Sequence, residues 1–413
     1  MKKTSLLSNH KIRPIKLSIL SWTVRKFIKA SFLVLGSIIL LYEVYDIPPV
    51  EHISTINLVL NQTRDVKVLM HPKQNTIRLI PRSSCYAHKK RLTILIAVTS
   101  AIENIDRRTV IRETWGKDQF SLDIKYQLMF VLGKSLNNSL QNLVEAEHRI
   151  FGDILQDPFI DTKLNLTLKT LFTLKYFAQF CSKKVEYLLK VQDNVYINTA
   201  QLHEYIQKKR KANLLIGSLH CGVWNKQGYH HMTSNQPGLL NDSVYPNFLS
   251  GTSYLMSKAT AYTLYRISMI VPIFYLESIY ITGILPAEYN KLVNNEDKNI
   301  LKNLLKDHAA TLSDIEIHPE TDYRFDQNIY NADSCSMTTI ISSNELSTAE
   351  MHHFHIKMNT LRNSNDEKLK NDCDAWNKLQ TKRRICNSQN TVFGGINGCC
   401  GYKQYVISNL FGF

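Results

Sequence analysis

The 413-residue chain reads as an α/β protein: a mostly parallel sheet with helices on both faces, preceded by a single transmembrane helix. Leu92-Thr93-Ile94-Leu95-Ile96-Ala97-Val98-Thr99 is a continuous apolar run, the pattern of a strand buried on both faces. Comparable runs return at Tyr126–Gly133 and Tyr187–Val191. Helical spacing separates the second run from the third, and strands that alternate with helices build a parallel sheet covered on both sides.

The elements follow in order. Residues 1–26 form a basic tail, because Lys2, Lys3, Lys11, Arg13, Lys16, Arg25, Lys26 and Lys29 all precede the first acidic residue, Glu43. The net charge of +15 is thus concentrated at one end rather than on a folded basic face, which argues against nucleic acid as a partner. Residues 27–45 hold an uncharged stretch from Ala30 to Tyr42, with Lys29 placed to snorkel and Trp22 and Tyr42 placed at headgroup level. No small-residue cleavage site follows, so this segment reads as a type II signal anchor with the rest of the chain in the lumen. Residues 46–88 are polar and carry Pro48, Pro49, Pro72 and Pro81, as a stem would. The folded body spans 89–362, with a helix expected over Arg107–Gly116, another over Leu164–Phe180, a third near Gln201–Lys211 and a strand at Leu214–Leu219. A polar loop then runs to Tyr245, and 363–413 is an appended tail with Cys373, Cys386, Cys399 and Cys400.

Eight cysteines, none in a Cys-x-x-Cys pair, make a zinc site improbable and permit disulfides in an oxidising lumen, with the pairing undetermined. Four Asn-x-Ser/Thr tripeptides, at Asn61, Asn137, Asn165 and Asn241, agree with a luminal body. The chemistry-bearing segment is Gln192-Asp193-Asn194, a polar turn closing the third strand. Strand ends at the carboxyl edge of an open α/β sheet are where ligands bind.

Several blocks then occur in a telling order. They are Arg107-Arg108-Thr109-Val110-Ile111-Arg112-Glu113-Thr114-Trp115-Gly116, Phe130–Gly133, Phe151–Asp157, Phe159–Asp161, Asn165–Thr170, the Gln192–Asn194 turn, Tyr245–Ser257 and Leu276–Gly283. Together they resemble the β-1,3-galactosyltransferase and β-1,3-N-acetylglucosaminyltransferase family of Golgi glycosyltransferases. The resemblance implies a GT-A fold, a Rossmann-like sheet that holds a UDP-sugar at its carboxyl edge and transfers the sugar to a glycan acceptor with inversion. It implies a Golgi membrane location, nucleotide-sugar binding by Arg107, Arg108, Arg112, Trp115, Lys169, Asp193, Ser250 and Gly251, and Mn2+ or Mg2+ at Asp193 and Asn194. Arginines suit a diphosphate and an indole suits stacking, while a solvated helix face and a capped core are the plainer alternatives for the same residues.

Two catalytic sites depart from the family's pattern. Gln192 and Asn194 replace carboxylates of the metal triplet, and Glu277-Ser278-Ile279 stands where the family writes Glu-Asp-Val, so that Ser278 replaces the expected base and Glu277 is the neighbouring carboxylate. Neutral ligands forgo the charge attraction that makes hard-cation sites tight, and a hydroxyl cannot accept a proton at neutral pH. Two functions therefore stay open: an active hexosyltransferase, and a silent relative that binds glycan, nucleotide or a partner transferase.

Overall fold

The computed structural model describes residues 64–363, apart from 83–84, 86–91, 118–123, 209–211, 222, 224–244, 295–297, 306–316, 323 and 327–333. The expected signal anchor, most of the stem, most of the loop before Tyr245 and, beyond Asn363, the appended tail lie outside the described residues. Among the described residues, no helix is long and apolar enough to cross a membrane.

A short helix α1 (Val66–Met70) leads to β1 (Leu92–Thr99), α2 (Ile105–Glu113), β2 (Ile124–Lys134), α3 (Asn138–Phe151) and β3 (Ile154–Ile160). Then come α4 (Leu166–Tyr176), β4 (Tyr187–Gln192), β5 (Tyr196–Ile197), α5 (Thr199–Lys208), β6 (Leu215–His220) and β7 (Phe248–Ser257). The described chain ends with α6 (Lys258–Ser268), α7 (Glu277–Ile279), α8 (Leu285–Asn294), α9 (Lys298–Leu304), β8 (Glu320–Thr321), α10 (Ser334–Thr339), β9 (Ser342–Ser343) and α11 (Thr348–Asn363). The expected strands and helices are present, shifted at their ends by a few residues.

Local chemistry sets several boundaries. Asn137 begins α3 by accepting from the backbone N–H groups of Ser139 and Leu140, and Gly152 ends it at φ 68°, a left-handed conformation that glycine adopts without a Cβ penalty. Ser257 caps α6 through Thr260 N. The long apolar helix α4 passes into a π-type turn at Phe177–Cys181.

Among the described residues the main sheet has seven strands in the order β3-β2-β1-β4-β7-β6-β8. The strands run parallel except β7, which is antiparallel to both β4 and β6. Alternate residues of β1 serve two cores. Ile94, Ile96 and Val98 join Val110, Ile111 and Trp115, Leu202 and Ile206 of α5, and Met351 and Phe354 of α11. Helix α4 packs against β1 and β2. Burial on both faces explains why β1 reads as unbroken apolar sequence. A small two-stranded sheet pairs Tyr196 with Ser343 and Ile197 with Ser342.

The order in which strands are added reverses at β1, which has β2 on one side and β4 on the other. A crevice at the carboxyl ends of these two strands is the topological switch point, the place where open α/β sheets take ligands. The register puts Thr99 opposite Gln192, so Ser100 and Asp193 emerge side by side. Strand β7 pairs Ser253 with Val191, and its earlier residues Ser250, Gly251 and Thr252 continue past the end of β4 toward the same edge.

Candidate functional site

Asp193 is the focus of the switch point. Its Oδ2 accepts from Ser100 Oγ at 2.7 Å and from Asn104 Nδ2 at 2.8 Å. Its Oδ1 faces Arg107 at 3.5 Å. Ser100 and Asn104 belong to the turn between β1 and α2, and Arg107 lies on the first turns of α2. Nearby, Lys169 of α4 donates to Ser100 O at 2.6 Å and to Asp161 Oδ1 at 2.8 Å, while Asp161 Oδ2 accepts from Gly133 N at 2.9 Å. Burial lowers the Lys169 pKa, and the charges of Asp161 and Asp193 oppose that shift.

The other residues of the first block lie behind this crevice. Arg108 is 0% exposed. It pairs with Glu147 at 2.7 Å and donates to Ala101 O, Ile102 O and Ser100 Oγ. Arg112 joins Glu147 to Asp153 and lies over the rings of Phe130 and Phe151, 4.6 and 4.1 Å from their centroids. Burial by itself would raise the Glu147 carboxyl, yet its bonds to Arg108 and Arg112 hold it below the usual range. Trp115 is fully buried, and its Nε1 has no hydrogen-bond partner. These three residues hold α2 against the sheet.

The second half of the edge is built on β7 and α7. Gly251 O accepts from Lys190 Nζ at 2.5 Å and from Gln192 Nε2 at 3.3 Å. A Cβ at Gly251 would stand 3.0 Å from Glu277 Oε2 and 3.3 Å from Ser278 Cβ, so the backbone passes directly beneath α7. Glu277 is buried and engaged: Tyr254 OH donates at 2.7 Å, Thr170 Oγ1 at 2.9 Å, and Lys190 lies 3.5 Å away. Burial, with Glu277 alongside, pushes the Tyr254 hydroxyl pKa well up. Glu277 therefore ties α4, β4, β7 and α7 together, with its oxygens committed inside the protein. Ser278, half-buried, presents a hydroxyl beside Gly251.

Asp326 completes this side. It accepts from Ser253 Oγ at 2.8 Å. Burial raises its carboxyl pKa, against the opposing pull of the Ser250, Thr252 and Ser253 hydroxyls and of Lys190. Its backbone sits in the left-handed region at φ 57°.

The residues at the turn do not suit Mn2+ or Mg2+. Both Asp193 oxygens already face donors of the protein, Gln192 turns its amide to Gly251, and Asn194 Oδ1 is a neutral oxygen buried from solvent without a partner. Hard-cation sites assemble several charged oxygens around the ion. Among the described residues no cluster of three His, Cys, Asp or Glu side chains could hold a metal.

Sequence reasoning passed over Ser100, Asn104, Lys190 and Asp326. The first two sit in the loop after the first strand, a position that itself marks a ligand edge. Lys190 is visible as a charge inside an apolar strand. Asp326 has no local signal, because it reaches the edge only through the return of the chain after β8.

An open α/β sheet with a polar cluster at its switch point defines the class: a mostly parallel α/β protein whose polar groups converge at the carboxyl ends of β1 and β4. Residues 106–296 of the chain match the galactosyltransferase family model. It is similar to human beta-1,3-galactosyltransferase 1, with 34% identity over 204 residues, 48% of this chain and 61% of the relative. Human beta-1,3-galactosyltransferase 2 is 28% identical over 216 residues, 51% of each chain. The chain thus spans about three fifths of the first of these relatives and half of the second. A solved galactosyltransferase, LgtC in complex with donor and acceptor sugar analogs, aligns over 68% of this chain and 99% of its own. Its identity is 12% and its TM-score 0.29, values that bear on neither fold nor function.

Proposed function

We propose that the chain is a hexosyltransferase that binds a UDP-sugar at the β1/β4 switch point and transfers galactose or N-acetylglucosamine to a glycan acceptor, in β-1,3 linkage with inversion. The observation that carries this reading is the Asp193, Ser100, Asn104 and Arg107 cluster at the switch point, with Arg107 and Asp193 inside the family-matched segment and Ser100 and Asn104 just before it. Hydroxyl, amide and carboxylate groups suit a nucleoside's ribose, and a cation suits its diphosphate. Of the residues named from sequence, Arg107, Lys169, Asp193, Ser250 and Gly251 lie at the edge, whereas Arg108, Arg112 and Trp115 support it from behind.

Transfer also needs a group to accept the proton of the acceptor hydroxyl. Ser278 cannot serve, and Glu277 is committed to Tyr254, Thr170 and Lys190. Asp326 is the carboxylate we assign to this step, since it lies at the same edge against Ser253, and burial raises its pKa, the direction that suits a general base. The full-length protein, incubated with UDP-galactose or UDP-N-acetylglucosamine and glycan acceptors, should release UDP. Asp326→Asn should lower the rate about 10²- to 10⁴-fold while UDP binding persists.

The engagement of Glu277 favours a second reading, a silent relative that binds UDP, glycan or a partner transferase. UDP binding without turnover across donors and acceptors would select it. For location we propose a single-pass type II Golgi membrane protein with a luminal body. The Cys85–Cys181 disulfide supports an oxidising compartment. Protease protection of the body in intact microsomes would test this placement.

A further inference from the structure

We propose that Arg107, in place of a divalent cation, neutralises the diphosphate of the bound nucleotide; this rests on the nucleotide-sugar reading above. A leaving diphosphate must be met by positive charge at the sheet edge. The Gln192-Asp193-Asn194 turn offers a cation one carboxylate, already satisfied by Ser100 and Asn104. The position beside that carboxylate is taken by a guanidinium.

The cations around the crevice differ in their commitments. Arg108 and Arg112 are spent on Glu147 and Asp153, Lys169 on Asp161 and Ser100 O, and Lys190 on Gly251 O and Glu277. The Arg107 side chain is 36% exposed and meets Asp193 through a single 3.5 Å contact. That contact is looser than the bidentate geometry a guanidinium makes with a phosphate, so a diphosphate can draw Arg107 toward itself. Helix α2 adds to the field. Asn104 at its start makes no side-chain cap bond and gives its amide to Asp193 instead. The first-turn N–H groups beside Arg107 are thus left without a side-chain cap, at the positive end of the helix.

Calorimetric titration of the full-length protein with UDP, in EDTA and in Mn2+, tests the assignment. Wild type should bind UDP with the same affinity in both. Arg107→Ala should weaken UDP binding about 10- to 100-fold, the size of a lost charge-assisted contact, with Arg107→Lys intermediate. Uridine, which lacks the diphosphate, should bind wild type and Arg107→Ala alike. If wild type requires Mn2+ and Arg107→Ala binds UDP normally, the inference fails while the nucleotide reading stands. If no UDP binds in either buffer although the protein is folded by circular dichroism, both fail together.

Discussion

Arg107, Arg108 and Arg112 lie on one short helix, and their surroundings separate them. Arg108 is sealed in the core with Glu147, where an ion pair is expensive to desolvate and more expensive to break. Arg108→Ala should cost about 3 kcal/mol, since Glu147 keeps Arg112 yet loses its closest partner; urea unfolding would measure this. Arg112 spans Glu147 and Asp153 between two aromatic rings, so lysine would not replace it. Arg107 alone keeps an exposed head beside Asp193. The sequence pointed to this block, and residue chemistry could not say which arginine stands at the carboxyl edge beside Asp193. Burial decides it.

At the scale of elements, the ends of β2 and β3 aim the crevice. Their pairing shifts register between Leu132 and Lys134, with Gly133 at the shift. A Cβ there would lie 2.7 Å from Phe159 O and 2.8 Å from Asp161 N, too close for either backbone atom. Gly133→Ala should therefore destabilise by about 1–3 kcal/mol. It should also displace Asp161, which orients Lys169, so UDP affinity should fall along with the melting temperature. The strands themselves were legible, β1 to the residue, because burial on both faces leaves an unbroken apolar run. The antiparallel direction of β7 was not legible, because strand direction is set by the crossing that precedes it and leaves no periodicity of its own.

Across the whole molecule, distant segments are tied together. The Cys85–Cys181 bond ties the approach to β1 to the end of α4, across 96 residues. Helix α11 returns to cover Tyr196, whose hydroxyl lies 3.0 Å from His355 Nδ1, while Asn359 lies near Nε2. Burial holds the His355 pKa down at about 4, and Lys117, Arg362 and His352 push the same way. The unfolded imidazole titrates near 6.5, so between those values the unfolded chain binds more protons than the fold. Stability from this group is complete above the unfolded value and is lost as pH falls toward 4. The urea midpoint should be lower at about pH 5 than at about pH 7.5, and His355→Gln should shrink that difference. An unchanged gap in the variant would place the acid sensitivity elsewhere.

The sequence by itself determined the α/β architecture, the order of its strands and helices along the chain, the family resemblance and the replaced carboxylates at Gln192, Asn194 and Ser278. Each is written in nearest-neighbour pattern or in residue identity. Only the tertiary structure decided that Glu277 is a buried strut, that Asp326 joins the edge from 73 residues beyond Ser253, and that Arg107 faces Asp193. These depend on which groups the fold removes from water and which it leaves at the crevice. No spacing along the chain encodes that choice.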